Sequence, residues 1–394
     1  MHSINYNNNS FKLSILKNSE YEPNKVTDMK FSGTREQILS PLQGVIGVVE
    51  RKQTMPILAN VLLAAKNAKL SITGTDLEVE LVASSEVTVT QPGEITVPGR
   101  KLLEIIRALP EDAKITLTLD GDKVKVAAGR SRFVLSSLPG AEFPVVESVS
   151  AQQALVLPQA ELSRLIGKTH FSMAQQDVRY YLNGTLLETD GKMLRTVATD
   201  GHRLAIAEAT LTSATKSGLQ QVIVPRKGIL ELQRLLASEG EVEITIGSNH
   251  VRVVIGDVRF TSKLIDGKFP EYSRVIPANP TKIIVSDREA LRQALHRTAI
   301  LSNEKYRGVR LSLAKNALKL QAHNPEQEEA EDEVEIDYKG EELEIGFNVT
   351  YLLDALSAVD TETVEIGLSD ANSSCLIRSP GTTNARYVVM PMRL

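Results

Sequence analysis

The chain has 394 residues, more than one hydrophobic core usually supports, so its length predicts two to four domains. Hydrophobic residues make up 42% and charged residues 24%, a composition typical of a soluble globular protein, and no apolar run approaches the roughly 18–20 residues that cross a bilayer. The single Cys375 excludes an intrachain disulfide framework and a multi-cysteine metal site. The net charge of -4 argues mildly against nucleic-acid binding, unless the two signs are segregated.

Residues 1–28 differ in composition from the rest of the chain. They are rich in Asn and Ser, and their one apolar patch, at residues 11–16, is too short for the apolar core of a signal peptide. We interpret this segment as a disordered extension or a misassigned start, because ordered-looking sequence begins at Met29.

From Met29 onward the chain reads as three copies of one unit. An alternating, strand-like segment that ends in Asp or Asn begins at Leu70, Leu194 and Leu318, which are 124 residues apart. The last strand of each copy begins at Arg132, Arg259 and Arg386, which are 127 residues apart. We therefore predict three domains, at residues 29–150, 151–272 and 273–394.

Each copy is predicted to contain two helices. Capping boxes predict first helices after Thr34, with Gln37, and after Ser286, with Glu289, while Pro158 lies near the first turn in the middle copy. The second helices follow Pro98, Pro225 and Asn348. Alternating hairpins follow these helices, so we predict an α+β fold with two helices on an antiparallel sheet in every domain.

The two signs of charge are segregated along the chain. Basic residues cluster on the predicted helices: Arg100, Lys101, Arg107, Arg164, Lys168, Arg226, Lys227, Arg234, Arg288, Arg292 and Arg297. Acidic residues concentrate in strands and loops, most densely at residues 326–333. This pattern indicates a local surface for a polyanion, although each helix face alone could simply be solvated.

Motifs for catalysis or for metal and cofactor binding are missing from the sequence. It contains no phosphate-binding loop, no dinucleotide-binding glycine pattern and no histidine pair at metal-ligand spacing, so we predict no cofactor and no metal. Asp200 and His202 could form a catalytic pair in a monomeric three-domain hydrolase, but with Gly201 between them a polar turn is the commoner outcome. The sequence therefore favours a binding protein over an enzyme.

Two further segments suggest binding surfaces. Residues 175–181 combine Arg179 with Tyr180 and Tyr181, which suits base stacking and phosphate contact, although the tyrosines could instead start a strand. The carboxyl-terminal tail contains Met390 and Met392, which could line a groove for varied peptides, although an ordinary edge strand is the simpler interpretation.

These segments together resemble the bacterial DNA polymerase III β subunit family, the sliding clamps. The resemblance covers residues 29–394 and is carried by the segments 176–184, 199–204, 300–305, 324–329 and 388–394. It implies a head-to-tail homodimer whose six domains close into a ring around double-stranded DNA, with the helices lining the hole. Residues 1–28 have no counterpart in the family pattern.

The resemblance also implies roles for individual residues. DNA contacts fall on Lys52, Arg100, Gln176, Tyr180 and Tyr181. The dimer interface falls on Lys101, Leu135, Ile300, Leu301, Glu326 and Glu328. A groove for partner peptides falls on Leu182, Thr199, Gly201, His202, Arg203, Leu204, Pro270, Arg274, Val275, Asn348, Tyr351, Val388, Val389, Met390, Pro391, Met392, Arg393 and Leu394.

The family implies a set of partners and a cellular location. The groove would bind the clamp loader, the replicative polymerase α subunit, translesion and repair polymerases, and mismatch-repair proteins in turn. ATP hydrolysis would belong to the loader, so the chain itself would be a non-catalytic subunit of the holoenzyme. Its location would be the cytoplasm, at the nucleoid.

Overall fold

The computed structural model describes residues 29–49, 55–146, 149–211 and 218–393. The predicted extension at residues 1–28, together with Lys52 and Leu394, lies outside the described residues.

The described residues form six α-helices, two in each copy, as the repeat predicts. They are α1 Arg35–Val45, α2 Gly99–Ala108, α3 Gln159–Gly167, α4 Arg226–Leu235, α5 Arg288–Ala299 and α6 Val349–Ala358. In α2 an apolar stripe of Leu102, Leu103 and Ile106 is buried, and each such side chain stabilises the fold by about 1.5–3 kcal/mol. In α4, Ile229 and Leu232 are buried, but Leu230 is 42% exposed and does not belong to the stripe.

The helix starts confirm one predicted capping box and correct another. At α1, the Thr34 side chain accepts from the Gln37 backbone N–H, and the Gln37 side chain accepts from the Thr34 backbone N–H. At α5 the cap is Asp287, whose Oδ1 accepts from Ala290 N at 2.6 Å. The prediction of Ser286 with Glu289 was wrong by one residue, and Glu289 instead pairs with Arg292 at 2.7 Å.

Every copy contains eight or more strands, and a short strand precedes each first helix. The first copy has β1 Lys30–Thr34, β2 Asn60–Lys66, β3 Lys69–Thr75, β4 Val79–Glu86, β5 Thr88–Gln91, β6 Gly93–Pro98, β7 Lys114–Asp120, β8 Lys123–Ala128, β9 Ser131–Ser136 and β10 Leu138–Pro139. The second has β11 Gln153–Pro158, β12 Gly184–Thr189, β13 Met193–Thr199, β14 Arg203–Thr210, β15 Gln220–Pro225, β16 Glu241–Ile246, β17 His250–Ile255 and β18 Val258–Lys263. The third has β19 Lys282–Asp287, β20 Gly308–Ala314, β21 Ala317–His323, β22 Glu329–Glu335, β23 Leu343–Asn348, β24 Thr363–Leu368, β25 Cys375–Arg378 and β26 Ala385–Val389.

The sheets run on from one domain into the next. A nine-stranded sheet has the order β10-β6-β2-β3-β4-β18-β17-β16-β11 and joins the first two copies where β4 pairs with β18. An eight-stranded sheet, β15-β12-β13-β14-β26-β25-β24-β19, joins the second and third copies where β14 pairs with β26. All the strand pairs described are antiparallel, as predicted, but the sheets are shared between domains instead of separate.

Two smaller sheets contain the remaining strands of the first and third copies. One has the order β5-β1-β7-β8-β9 and the other β22-β21-β20-β23. By position in the repeat, β9 corresponds to β18 and β26, while β22 corresponds to β4 and β14. Within the described chain, β9 and β22 each end a sheet, whereas their counterparts pair with one another.

Candidate functional site

A groove with a cavity of about 230 Å³ lies at the junction of the second and third domains. Its walls come from the loop before β12, the turn between β13 and β14, the linker after β18 and the end of β26. Nine of the predicted groove residues line it: Leu182, Thr199, Gly201, Arg203, Leu204, Pro270, Val275, Val388 and Met390. The sequence did not predict Arg179, Tyr181, Glu271 and Tyr272 for this groove, but they line it as well.

The floor of the groove is apolar, and its rim is accessible. Leu204 and Val388 belong to a buried cluster at the junction, and they face each other across the β14–β26 pair. On the rim, Val275 is 40% and Met390 is 39% exposed. Exposed apolar side chains around a concave site indicate a surface that binds apolar anchors.

The turn between β13 and β14 is built by its own side chains. Asp200 Oδ1 accepts from His202 N at 2.9 Å and from Arg203 N at 3.0 Å, while Oδ2 pairs with the Arg203 guanidinium at 3.1 Å. Gly201 has φ +88, a conformation that residues with a side chain rarely adopt, so a substitution there would be strained. No hydrogen bond joins the Asp200 carboxylate to the imidazole of His202 in this described turn; the carboxylate binds the backbone and the Arg203 guanidinium instead.

Arg203 connects the groove to the third domain. Its guanidinium pairs with Asp354 of α6 at 2.5 Å, donates to Phe171 O at 2.6 Å and lies 4.4 Å from the centre of the Tyr351 ring. The side chain is 12% exposed, so these contacts are formed in a poorly solvated place and fix its geometry. Tyr351, predicted for the groove, covers Arg203 instead of lining the cavity.

The other predicted groove residues that the structure describes do not line this cavity. Asn348 caps α6, with Oδ1 accepting from Thr350 N at 2.9 Å, and Arg274 pairs with Glu271 at 2.8 Å. Met392 and Arg393 line a separate open cavity of about 540 Å³ on β20–β22. His202 is exposed, Val389 is buried and Pro391 is half-buried.

Three of the residues predicted for DNA contact lie in one loop before β12. Gln176 adopts φ +55 and is exposed, and Tyr180 is 57% exposed with its ring 5.8 Å from that of Tyr181. Tyr181 itself lines the groove. Arg100 lies at the start of α2, where its Nε donates to Val49 O at 2.9 Å.

Many of the basic helix residues are already neutralised. Arg164 pairs with Glu161 at 2.7 Å, Arg292 with Glu289 at 2.7 Å and Arg297 with Asp332 at 2.7 Å. Arg234 and Lys168 also form ion pairs, with Glu231 and Asp360. The count of basic residues in the sequence therefore overstates the positive charge that the helices offer to a polyanion.

The residues predicted for the dimer interface lie near the two sheet ends. Leu135 is in β9, and Glu326 and Glu328 are exposed just before β22. Ile300 follows α5 and is 70% exposed. Lys101 in α2 is exposed, and Leu301 is half-buried.

The described ranges contain neither a candidate membrane-spanning helix nor a candidate metal site. No helix there is long and apolar enough to cross a membrane. No group of three or more His, Cys, Asp or Glu residues in the same ranges could hold a metal ion.

Three repeated domains with continuous sheets and an apolar groove at one junction are the architecture of a DNA clamp. Family models of the DNA polymerase III beta subunit match the chain at residues 29–147 (N-terminal domain), 156–271 (central domain) and 273–393 (C-terminal domain). The chain belongs to the DNA polymerase III beta subunit family, the sliding clamps.

Relatives and solved structures agree with this assignment. The beta sliding clamp of Pseudomonas putida is 56% identical over 368 residues, and that of Escherichia coli K12 is 51% identical over 368 residues; each alignment covers 93% of this chain and 100% of the relative. The solved DNA polymerase III subunit beta from Pseudomonas aeruginosa has a TM-score of 0.91 at 55% identity, again over 93% and 100%. A sliding clamp from the same organism bound to griselimycin has a TM-score of 0.89 at 55% identity and the same coverage.

Proposed function

We propose that two copies of this chain assemble head to tail into a closed ring that encircles duplex DNA and tethers replication and repair proteins. The observation that carries the ring is the pair of unmatched strands. The repeat forms the β4–β18 and β14–β26 junctions inside the chain. In the described chain, the equivalent strands β22 and β9 have no such partner. Pairing β22 of one protomer with β9 of the next closes a ring of two through two different patches.

The repeat also specifies the register of the proposed junction. The strands β4, β14 and β22 share one position of the repeat at which their registers can be compared. It is occupied by Leu81, Ala205 and Ala330, each of which pairs with the equivalent residue of the strand before it. At the two existing junctions, Leu81 lies opposite Phe260 and Ala205 opposite Tyr387. Phe133 is the counterpart of those aromatic residues in β9, so Phe133 of one protomer would lie opposite Ala330 of the other.

Burial and charge support this register. Phe133 and Ala330 are half-buried and face inward, while their neighbours Arg132 and Glu331 are exposed and would lie opposite each other on the outer face. Opposite charges on directly opposed residues stabilise an antiparallel pair, and a slip of one residue would place inward-facing residues against outward-facing ones. The acidic β22 and the basic residue Arg132 of β9 are therefore complementary.

A cysteine pair tests the register. Val134→Cys with Glu329→Cys introduces thiols at directly opposed outward positions, and paired Cα atoms at about 4.5–5.5 Å are within the range of a disulfide. Oxidation should give a covalent dimer of about twice the 43.2 kDa chain mass. The control, Ser136→Cys with Glu333→Cys, uses exposed positions on the same strands that are out of register by six residues, about 20 Å. Equal cross-linking of both pairs would contradict the proposed register.

For DNA we propose contacts to phosphates by Arg100 and Lys52 and by the loop bearing Gln176, Tyr180 and Tyr181. Phosphate contacts position a protein on duplex DNA without specifying sequence, which a sliding ring requires. The bond from Arg100 Nε to Val49 O orients the guanidinium, and its other N–H groups have no protein partner among the described residues.

Substitution of Arg100 by Ala should weaken DNA binding and reduce its salt dependence. Each lost phosphate contact lowers the slope of log affinity against log salt concentration by about 0.9. Anisotropy of a labelled 30-bp duplex measures this slope. Arg234→Ala is the matched control, because Arg234 lies in the equivalent helix α4 but is neutralised by Glu231 and also donates to Gly44 O at 3.1 Å. If the two variants change the slope equally, Arg100 is not a specific contact.

The groove is proposed to bind short peptide segments with apolar anchors. We assign it to the clamp loader, the replicative polymerase α subunit, translesion and repair polymerases and mismatch-repair proteins, which would compete for one site. The binding of griselimycin by a 55% identical clamp supports ligand binding in this family. Its apolar floor and exposed Val275 and Met390 suit anchors of this kind.

We further propose that the chain is non-catalytic and acts at the nucleoid in the cytoplasm. The Asp200 carboxylate is occupied by the turn that contains it, so nothing in that turn supports the hydrolase alternative. The proposed activity is a processivity function, in which a tether raises the local concentration of the polymerase at the primer end.

A further inference from the structure

One wall of the groove has little support of its own. The short 3₁₀ helix Tyr272–Val275 contains no fully buried residue; its Arg274 side chain is 77% exposed, and the side chain of Glu271, just before it, is 62% exposed. Phe269 is 7% exposed and anchors the start of the linker, with its ring 6.5 Å from that of Tyr272. Tyr272 and Ile276, which are half-buried and pack against the apolar cluster at the junction, support the rest of the wall.

The Tyr272 hydroxyl is held by a buried ionic network. It donates to Glu188 Oε1 at 2.7 Å and accepts from Arg195 Nη1 at 3.0 Å. Arg195 Nε is bound in turn to Glu208 at 2.9 Å, and Glu188 also accepts from Gln221 at 2.6 Å. Burial raises the pKa of Tyr272 to about 12, so the hydroxyl retains the proton that it donates at neutral pH.

The internal repeat shows that this network is specific to the groove-bearing copy. The positions equivalent to Glu188, Arg195 and Glu208 are Ala64, Ser71 and Ser84 in the first copy and Ser312, Lys319 and Glu333 in the third. The fold of the domain therefore forms without these three charges together. They occur as a set where a linker forms the wall of a groove.

We propose that Glu188, Arg195 and Glu208 are positioning residues, which fix the Tyr272 hydroxyl and thereby hold residues 270–275 in the geometry that admits an apolar peptide anchor. The inference rests on the proposed function of the groove. A wall that samples other positions would lower the apparent affinity by the fraction of time it spends in them. Of the network residues, only Tyr272 would contact the ligand. The other members would contribute to affinity by holding Tyr272 in place.

The test compares Tyr272→Phe and Glu188→Gln with the unmodified dimer. Tyr272→Phe removes only the hydroxyl, and we expect griselimycin to bind about three- to tenfold more weakly by calorimetry, the effect of losing one or two buried hydrogen bonds. Hydrogen exchange of the backbone amides of residues 270–276 should become faster in the free variant, with the dimer mass unchanged. Glu365→Gln is the control, since Glu365 pairs across strands with Arg378 at 2.7 Å, has the 16% exposure of Glu208 and lies away from the groove.

The results distinguish a failure of the positioning role from a failure of the proposed groove function. If griselimycin affinity and amide exchange in both variants stay within twofold of the unmodified protein, the positioning role is wrong. It is also wrong if Glu365→Gln loses as much griselimycin affinity as those variants do. Absence of griselimycin binding to the unmodified protein would overturn the proposed function of the groove, while the exchange of residues 270–276 would still decide whether the network holds the wall. If Tyr272→Phe does not fold, Glu188→Gln provides the same comparison.

Discussion

Replacing Met390 by Ala should weaken griselimycin binding at least tenfold, whereas the same change at Met392 should leave affinity within about twofold. Met390 lines the groove and is 39% exposed, so its side chain is available to cover a ligand. Burying a methionine side chain contributes about 1.5–3 kcal/mol, and 1.4 kcal/mol corresponds to a tenfold change in affinity. Met392 lines the separate cavity on β20–β22. Calorimetry on the two variants measures the difference.

Truncation after Val389 extends this prediction. It removes Met390 together with the bond from Met390 N to His202 O at 2.9 Å, and should abolish polymerase stimulation without changing the mass of the dimer. If Met392→Ala weakens binding as much as Met390→Ala, the groove is not where the structure places it. If the truncated chain becomes monomeric, the tail has a structural role in the ring.

Ile300→Glu should convert the dimer into monomers. Ile300 is 70% exposed in the single chain, so a charge there costs the folded monomer little. In a head-to-tail ring the substitution acts at both interfaces, and the loss of about 1.5–3 kcal/mol at each raises the dissociation constant about 10²- to 10⁴-fold. Sedimentation equilibrium at micromolar concentration gives the mass.

Leu219→Glu is the matched control for this experiment. Leu219 is an aliphatic residue of similar exposure, 63%, just before β15 in the eight-stranded sheet, whereas Ile300 directly follows α5, the helix that packs on β22. It should leave the dimer intact. A dimer that tolerates Ile300→Glu as well as Leu219→Glu would remove Ile300 from the interface.

The repeat spacing predicted the architecture well. Offsets of 124 and 127 residues located the strand that ends just before Asp200 and the strand that begins near Arg386 in their correct places, because strand periodicity is a local property of sequence. The start of α5 was misplaced because Ser286 and Asp287 are both good caps, and sequence does not decide between adjacent caps.

Properties that depend on distant contacts were harder to predict. The β4–β18 junction joins Leu81 to Phe260, and alternation shows which face of a strand is buried but not which strand lies beside it. The positive charge of the basic helices was overestimated because their ion pairs were not considered. Some partners are local, such as Glu289 three residues before Arg292, and others are distant, such as Asp332 for Arg297. Tyr272 was missed in the groove, although its partner Glu188 departs from the repeat and was a usable signal.

The central claim is that the chain works as a closed ring around DNA, and the cross-linked dimer tests it most directly. Protein carrying Val134→Cys and Glu329→Cys is loaded on nicked circular DNA, oxidised, and washed in 1 M salt. The ring account predicts that the covalent dimer stays with the circle under these conditions and leaves when a restriction enzyme linearises the DNA. Retention on the linear product without end blocks, or loss from the intact circle after complete cross-linking, would contradict it.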